Sequence, residues 1–320
     1  MTRLFLLFWL TGRLLAQDAL DGQWSLDLPN QEAGWLSVTK DRVELLWAVG
    51  SARPVENFTR QADTLSFEKA VRRPLAPKEE PATRFRITFK ARGEFLEAEM
   101  VPSDAAATSR AVMFSGKKQP PMPPRPDLGQ IAFGEPVSLF NGRDLTGWKP
   151  SRADKKNGWS VREGLLCNDT PKTDFSAYGE YANLRTEAEF EDFQLHIEYR
   201  LPAGTGGNSG IYLRGIYEVQ VTHKDSKMQG ISGPGAVFGR VEPTHNAGRA
   251  AGEWDVLDIM LVDRHVTVVL NGKKVIDNAP VPGCTGGALK SDVTLPGPIY
   301  LQGDHTSVQY RNITLRPRAR

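Results

Sequence analysis

Residues 204–223 combine a glycine-rich turn with two alternating segments, and this stretch most restricts how the chain can fold. The run from Gly204 to Gly210 predicts a tight turn, because glycine adopts backbone angles that other residues avoid. Apolar and polar side chains then alternate as in β-strands, and Gly215 allows a bend between the two strands. One face is predicted to be apolar, whereas the opposite face carries Tyr212, Arg214, Glu218, Gln220 and Thr222.

This polar face has two interpretations. A half-buried antiparallel sheet shows the same alternation without any function. However, a phenol, a guanidinium, a carboxylate and an amide are planar donors and acceptors, which suit a neutral polyhydroxyl ligand. The residues alone leave both a structural sheet and a ligand-facing sheet open.

Amino-acid composition narrows the classes of fold and function that this protein can have. The chain has 320 residues, 40% of them hydrophobic, which is enough for two domains with their own cores. Its 40 basic and 38 acidic residues form no long run of either sign, so neither nucleic acid nor an anionic membrane is expected as the main partner. Thirty glycines and 22 prolines, without a long amphipathic helical repeat, favour an all-β chain with many turns.

The first residues resemble a secretory signal peptide, which we place at residues 1–16. Arg3 gives the positive start, an apolar core follows, and Ala16 ends a plausible cleavage site. A buried first strand is the alternative. Export would place the protein in the periplasm or outside the cell, with no integral membrane segment after cleavage. In that setting Cys167 and Cys284 form either a disulfide or two buried free thiols.

Turn and strand patterns divide the rest of the chain into two all-β domains. Residues 20–118 read as a small accessory domain, a lipocalin-like β-barrel or a β-sandwich, with its clearest hairpin at Arg92 and Gly93. Residues 119–127 contain five prolines and predict an extended spacer. Residues 128–320 contain about a dozen predicted strands without helices between them, which indicates a two-sheet sandwich or jelly roll.

The second domain resembles a known family in a series of motifs, which occur in family order. They include VSLFNGRDLTGW, WSVREGLL, LRTEAEFEDFQLHIEYRLPAGTGGNSGIYLRG, YEVQV, GAVFG, VTVVLNGKKV and GPIYLQGDHTSVQYRNITL. On these motifs, residues 135–316 are similar to the domain of unknown function 1080 family, also called the 3-keto-disaccharide hydrolases. The resemblance implies a concanavalin A-like jelly roll with a carbohydrate-sized groove. It also implies cleavage of glycosidic bonds in oxidised, 3-keto glycosides.

Cleavage beside a ketone needs a base at C2, a group that stabilises the enolate oxygen and an acid for the departing group. As catalytic candidates we take Glu218, Arg214 and His305, and as substrate-binding candidates Asn208, Tyr212, Gln220, Gln302 and Asp304. Each has a structural alternative. Glu218 and Arg214 could form an ion pair, a loop histidine is often only solvent-exposed, and Asn208 could cap its turn.

The sequence does not determine whether the protein binds a cofactor or a metal ion. Asp304 with His305, or His223 with Asp225, could each supply two ligands to a divalent cation, but no strong motif completes a set. The leading hypothesis is an exported enzyme that cleaves 3-keto glycosides by hydrolysis or by elimination and hydration. Its partner would be an oligosaccharide or glycoside. The alternatives are a non-catalytic, lectin-like sugar-binding protein and an envelope scaffold.

Overall fold

The computed structural model describes residues 19–71, 81–103, 110–170, 179–204 and 207–319. Over these ranges the chain forms antiparallel β-sheets joined by loops and three short 3-10 turns, which confirms the all-β prediction. None of the helical segments in the described ranges has the length and apolar character needed to cross a bilayer. The predicted signal peptide, residues 1–16, lies outside the described residues.

The first part of the chain forms one nine-stranded sheet. Its strands are β1 Gly22–Leu28, β2 Glu32–Val38, β3 Val43–Trp47, β4 Arg53–Pro54, β5 Phe58–Gln61, β6 Thr64–Val71, β7 Thr83–Arg92, β8 Phe95–Pro102 and β9 Val112–Lys118. They follow the order β4-β3-β2-β1-β9-β8-β7-β6-β5, so the pairing of β1 with β9 joins two meanders. The predicted hairpin at Arg92 and Gly93 is the turn between β7 and β8.

This sheet curls around its own apolar core. Trp47 on β3 contacts Phe114 on β9 edge to face, with ring centroids 5.7 Å apart, although two strands separate them in the sheet order. Phe114 also contacts Phe89 on β7 at 5.7 Å. Such contacts across non-adjacent strands require strong curvature. The sheet is therefore an open barrel whose edges, β4 and β5, follow one another in the chain.

The second part of the chain contains thirteen strands in two sheets. The strands are β10 Val137–Ser138, β11 Trp148–Pro150, β12 Trp159–Arg162, β13 Leu165–Asn168, β14 Leu184–Thr186, β15 Phe193–Arg200, β16 Asn208–Leu213, β17 Tyr217–Thr222, β18 Trp254–Val262, β19 His265–Leu270, β20 Lys273–Pro280, β21 Tyr300–Leu301 and β22 Val308–Pro317. The larger sheet has the order β12-β13-β22-β15-β18-β19-β20, with β10 also on β22. The smaller sheet has the order β11-β14-β21-β16-β17.

The two sheets pack face to face through side chains that alternate along each strand. On β15 the buried positions are Phe193, Leu195, Ile197 and Tyr199, as the alternation predicts. The smaller sheet contributes Ile211, Leu213, Val219 and Val221 to the same core. Each such large apolar side chain contributes roughly 1.5–3 kcal/mol on burial. The result is the jelly-roll sandwich that the sequence predicts.

Strand β2 has side chains in both cores. Leu36 and Val38 point into the open barrel. Ala33 and Trp35, on the opposite face of the strand, join the core of the sandwich. Because successive strand residues point to opposite faces, one strand can bind the two domains together.

The proline-rich segment, residues 119–127, has no regular secondary structure and is fixed to the sandwich. The Arg264 guanidinium donates to the carbonyl oxygen of Pro120 at 3.2 Å. Asn278 Nδ2 donates to the carbonyl oxygen of Pro126 at 2.8 Å. The segment is therefore a strap along β19 and β20 rather than a free spacer.

Both cysteines are free and buried, so the two-thiol alternative is the one found. Cys167 is part of β13, and Cys284 lies in a loop beside Arg240. Burial raises the pKa of the Cys284 thiol to about 12. A thiol with such a pKa stays protonated at neutral pH and is a poor nucleophile.

Candidate functional site

Strands β16 and β17 carry the predicted polar face, and their register confirms the alternation. Tyr212 lies opposite Glu218, and Gly210 lies opposite Gln220. The apolar side chains of the same strands face the sandwich core. However, Tyr212, Glu218 and Gln220 are each no more than 3% exposed. This part of the polar face is therefore covered by other segments and is not an open groove.

Glu218 is buried against the backbone of the neighbouring strand. Its side chain lies directly over Gly210, where a β-carbon would collide with the carboxyl group. Burial raises the pKa of the Glu218 carboxyl to about 8, and the nearby charge of Asp304 adds to this effect. At neutral pH Glu218 is therefore mainly protonated. A protonated carboxyl group donates a hydrogen bond and does not act as a base.

Arg214 does not join the face that the sequence predicted for it. It lies in the turn between β16 and β17 with a φ of 57°, which rotates the side chain away from the strand alternation. Its guanidinium donates to the carbonyl oxygens of Val293 at 2.8 Å and Leu295 at 3.1 Å. Among the described residues, no ion pair joins Arg214 to Glu218. The guanidinium fixes the loop at 293–295 instead.

The side-chain amides of Asn208 and Gln220 are hydrogen-bonded to each other. Gln220 Nε2 donates to Asn208 Oδ1 at 2.6 Å. The Thr306 hydroxyl accepts a hydrogen bond from the backbone amide of Asn208 and donates one to the backbone carbonyl oxygen of the same residue, both at 2.9 Å. These two amides were predicted to bind substrate. In the structure they form a buried network that holds the loop after β21.

A cavity of about 300 Å³ lies between the two domains. From the sandwich it is lined by Ser151, Arg152, Lys155, Tyr181, Asn183, Tyr300, Gln302 and Asp304, among others. The open barrel contributes the backbone and side chains of residues 30–33 and 48–49. Of the eight candidate residues, Gln302 and Asp304 line this cavity. Tyr300 shares their strand parity, so the same period-two pattern could have identified it.

Asp304 and His305 form a hydrogen-bonded pair at the cavity. His305 Nδ1 and Asp304 Oδ1 are 2.7 Å apart, and the two side chains are 16% and 9% exposed. The other carboxylate oxygen accepts from the backbone amide of Gly179 at 3.4 Å. The imidazole therefore orients a carboxylate that faces the cavity.

Tyr300 supplies a hydroxyl group beside this carboxylate. Asn183 Nδ2 donates to Tyr300 Oη at 2.5 Å. Burial, with the negative charge of Asp304, raises the pKa of the Tyr300 hydroxyl. This hydroxyl therefore keeps its proton at neutral pH and can donate it in a hydrogen bond to a ligand.

Gln302 links the cavity to the buried layer beneath it. Gln302 Nε2 lies 3.5 Å from Tyr212 Oη, and the Tyr212 hydroxyl donates to the carbonyl oxygen of Gly286 at 2.9 Å. The side chain of Gln302 is 8% exposed, and its Oε1 atom has no hydrogen-bond partner among the described residues. A buried acceptor without a partner costs about 1–3 kcal/mol. A hydroxyl group of a bound ligand would satisfy it.

The other histidines lie away from the cavity lining. His196 pairs with Asp258 at 2.7 Å on the outer face of the larger sheet, and His245 contacts the Thr244 hydroxyl at 3.0 Å. His223 Nδ1 is buried without a partner among the described residues. Within the described ranges, no group of three or more His, Cys, Asp or Glu side chains is arranged to hold a metal ion.

Comparison with known families fits this architecture. Residues 135–316, more than half of the chain, match the family described as a 3-keto-alpha-glucoside-1,2-lyase-like domain. The chain belongs to this family. Its lyase-like domain contains both sheets of the sandwich and the residues Tyr300 to His305. Residues 30–33 and 48–49, which form the opposite wall of the cavity, lie outside the matched range.

Several solved structures are similar to part of this chain. One is a provisionally assigned glycosyl hydrolase from Parabacteroides distasonis, with 29% identity and a TM-score of 0.46, covering 63% of this chain and 94% of that one. A second such protein from the same organism has 20% identity and a TM-score of 0.44, covering 57% and 93%.

A carbohydrate-binding module, CBM66 from Bacillus subtilis, has 14% identity and a TM-score of 0.37, covering 54% of this chain and 96% of that one. A search of curated proteins gave no match. The family match and the two-sheet architecture together identify a jelly-roll protein of the 3-keto-alpha-glucoside-1,2-lyase-like family.

Proposed function

We propose that the protein cleaves the glycosidic bond of a 3-keto glycoside in the cavity between its two domains. The observation that carries this proposal is the Asp304 carboxylate, which lines the cavity and is oriented by His305. Family membership supports the substrate class, because the matched domain is described as 3-keto-alpha-glucoside-1,2-lyase-like. The cavity volume, about 300 Å³, is at the lower end of the range of ligand pockets.

The chemistry follows from the ketone. A carbonyl group at C3 makes the proton on C2 acidic, and a base removes it to give an enolate. When the enolate collapses, the ketone re-forms, a double bond forms between C1 and C2, and the bond from C1 to the glycosidic oxygen breaks. The departing oxygen takes up a proton, and addition of water across the double bond gives the free keto sugar.

The cavity contains groups for the first step. Asp304 is the proposed base, and His305 is a positioning residue that holds the carboxylate through Nδ1. The Tyr300 hydroxyl and the Lys155 ammonium line the same cavity and are the proposed donors to the enolate oxygen. Preorganised donors of this kind stabilise charge that develops in the transition state. Glu218 lies beneath this layer and is proposed to support Tyr212.

A non-catalytic sugar-binding protein is the second candidate. The observation that favours it is the burial of Glu218, one of the three catalytic candidates, which raises the pKa of its carboxyl group. A cavity with tyrosines and amides is also suited to binding without chemistry. In this case Asp304 would accept hydrogen bonds from sugar hydroxyls and would not remove a proton.

The test is mass-spectrometric turnover of a 3-keto-disaccharide beside its unoxidised parent, with and without a chelator. Cleavage of the keto sugar alone, lost in Asp304→Asn, is the expected result. The matched control is Asp258→Asn, which alters a carboxylate–histidine pair of the same length on the outer face of the sandwich. Binding of a sugar without cleavage would favour the non-catalytic sugar-binding protein over the enzyme. Loss of turnover on chelation would add a metal ion to the mechanism.

We further propose that the protein is exported, on the basis of the signal-like pattern of residues 1–16. N-terminal sequencing of the protein recovered from its native cells tests this. A mature chain that begins shortly after Ala16 is expected. Recovery of the chain with residues 1–16 still attached would contradict export by this signal.

A further inference from the structure

The cavity has one wall that the lyase-like domain does not supply. Residues 30–32, at the turn between β1 and β2, face the cavity from the open barrel, as do Ala48 and Val49 after β3. The family match begins at residue 135, so this wall belongs to a different part of the chain. A ligand that fills the cavity would therefore contact residues of both parts of the chain.

The wall is held rigidly against the lyase-like domain. Trp35 stacks on the Arg240 guanidinium, which lies 4.1 Å from the ring centroid. The Gly287 amide donates to the carbonyl oxygen of Ala48 at 2.7 Å. The Ser25 hydroxyl donates to the carbonyl oxygen of Ser291 at 2.7 Å. Since these contacts involve buried side chains and backbone groups, the wall is preorganised rather than loosely attached.

The wall is polar at the turn of residues 30–32 and apolar at Ala33, Ala48 and Val49, and Glu32 is its one charged residue among those described. Asn30 and Gln31 present amide groups and have left-handed backbone angles, with φ of 64° and 62°. Glu32 is half-buried, and no hydrogen bond or ion pair with another described residue involves its side chain. Burial raises the pKa of the Glu32 carboxyl above its ordinary value, as expected for a carboxylate without a compensating cation.

Across the cavity, Gln302 also has a hydrogen-bond acceptor without a partner among the described residues. Its Oε1 atom is buried and has no partner among the described residues, although the side chain is 8% exposed. Buried acceptors are normally satisfied, and this cavity contains one that is not, Gln302 Oε1, opposite the half-buried Glu32 carboxyl group. The missing partner is thus a group that donates hydrogen bonds in several directions, as sugar hydroxyls do.

We propose that the turn at Asn30–Glu32 forms a second sugar subsite, which binds the leaving residue of a disaccharide while Asp304 acts on the oxidised residue. This inference rests on the proposed function of the cavity. Glu32 accepts hydrogen bonds from two hydroxyl groups of the leaving sugar, and Asn30 and Gln31 supply both donors and acceptors.

The experiment compares two substrates with the full-length protein. One is a 3-keto-disaccharide, and the other is the methyl glycoside of the same 3-keto sugar, which has no leaving sugar to fill the second subsite. For Glu32→Gln and Glu32→Ala, we expect the ratio of kcat/KM for the disaccharide to that for the methyl glycoside to fall about tenfold. This is the size expected for lost hydrogen bonds to a charged group.

The matched control is Glu99→Gln, which makes the same change at an exposed position on β8 of the same domain. It should leave the ratio unchanged. Circular dichroism and thermal melting establish that each variant is folded. An unchanged ratio in both Glu32 variants would overturn the inference while leaving the proposed function intact.

If the wild-type protein cleaves neither substrate, the proposed function fails, and binding decides the inference. Calorimetric titration of the unoxidised disaccharide into the wild type, Glu32→Gln and Glu99→Gln then separates the outcomes. Affinity that falls about tenfold only in Glu32→Gln supports a sugar subsite at the turn. Equal affinity in all three proteins, or no binding to any, overturns it.

Discussion

The backbone amide of Gly287 donates a 2.7 Å hydrogen bond to the carbonyl oxygen of Ala48, which joins the open barrel to the loop that covers Tyr212. The same loop accepts a hydrogen bond from the Tyr212 hydroxyl at Gly286. The open barrel is therefore coupled to the buried layer beneath the cavity. Residues outside the family domain help to fix the position of residues within it.

Gly287→Ala should disturb this junction. Gly287 has a φ of 75°, and a β-carbon there would lie 2.7 Å from Tyr212 Oη. The left-handed backbone alone costs an L-residue roughly 1–2 kcal/mol, and the clash adds to this cost. Denaturant unfolding should show a loss of more than 2 kcal/mol. The control is Gly272→Ala, since Gly272 has a φ of 77° but nothing within 4 Å of the added carbon. Equal losses in the two variants would contradict the role given to Tyr212.

Glu218 should make stability depend on pH. Its pKa is about 8 in the folded protein against an ordinary value of 4.5, so the folded state binds the proton more tightly. This contribution is complete below pH 4.5 and is lost as the pH rises through about 8. The expected loss at pH 8 is of the order of 4 kcal/mol.

Glu218→Gln should remove this dependence, because the amide has a similar shape and cannot ionise. The free energy of unfolding of the variant should exceed that of the wild type at pH 8 and approach it near pH 5. Glu99→Gln, at an exposed position, serves as the reference. Parallel pH profiles for the wild type and Glu218→Gln would show that Glu218 is ionised in the folded protein.

Trp35→Ala should loosen the two domains. Trp35 is 3% exposed, belongs to the sandwich core and stacks on Arg240. Removal of such a side chain costs about 3–5 kcal/mol. Thermal unfolding should show this loss, together with weaker sugar binding, because Glu32 of the cavity wall lies on the same strand and the turn of residues 30–31 leads into it. Phe95→Ala is the control, since Phe95 is 58% exposed on β8. Full stability in Trp35→Ala would argue against a fixed interface.

Asp304 and His305 should differ in their effect on turnover of a 3-keto-disaccharide. Loss of a general base lowers the rate by about 10²–10⁴-fold, so Asp304→Asn should reduce kcat by at least two orders of magnitude. His305→Ala removes the orienting hydrogen bond from Nδ1 and should reduce kcat less, with KM almost unchanged. The pH profile of the histidine variant separates positioning from proton transfer. A larger loss in His305→Ala than in Asp304→Asn would reverse the two roles.

The sequence predicted the fold and only part of the site. Alternation along β15, β16 and β17 identified the inward and outward positions, because a buried face imposes a period of two. The same alternation placed Glu218 and Gln220 on the polar face but could not show that other segments cover them. Arg214 was assigned to that face as well, and the left-handed turn at this residue removed it. Local periodicity carries no information about turns of this kind.

Sequence alone determined the all-β class and the family of residues 135–316, since these depend on local pattern and on motifs in order. The tertiary structure decided which polar residues meet. Asp304 faces Glu32 across a cavity although 271 positions lie between them in the chain. Such contacts depend on how two curved sheets pack against each other. The physical reason is that strand periodicity fixes the face on which a side chain lies, whereas only packing fixes what that face meets.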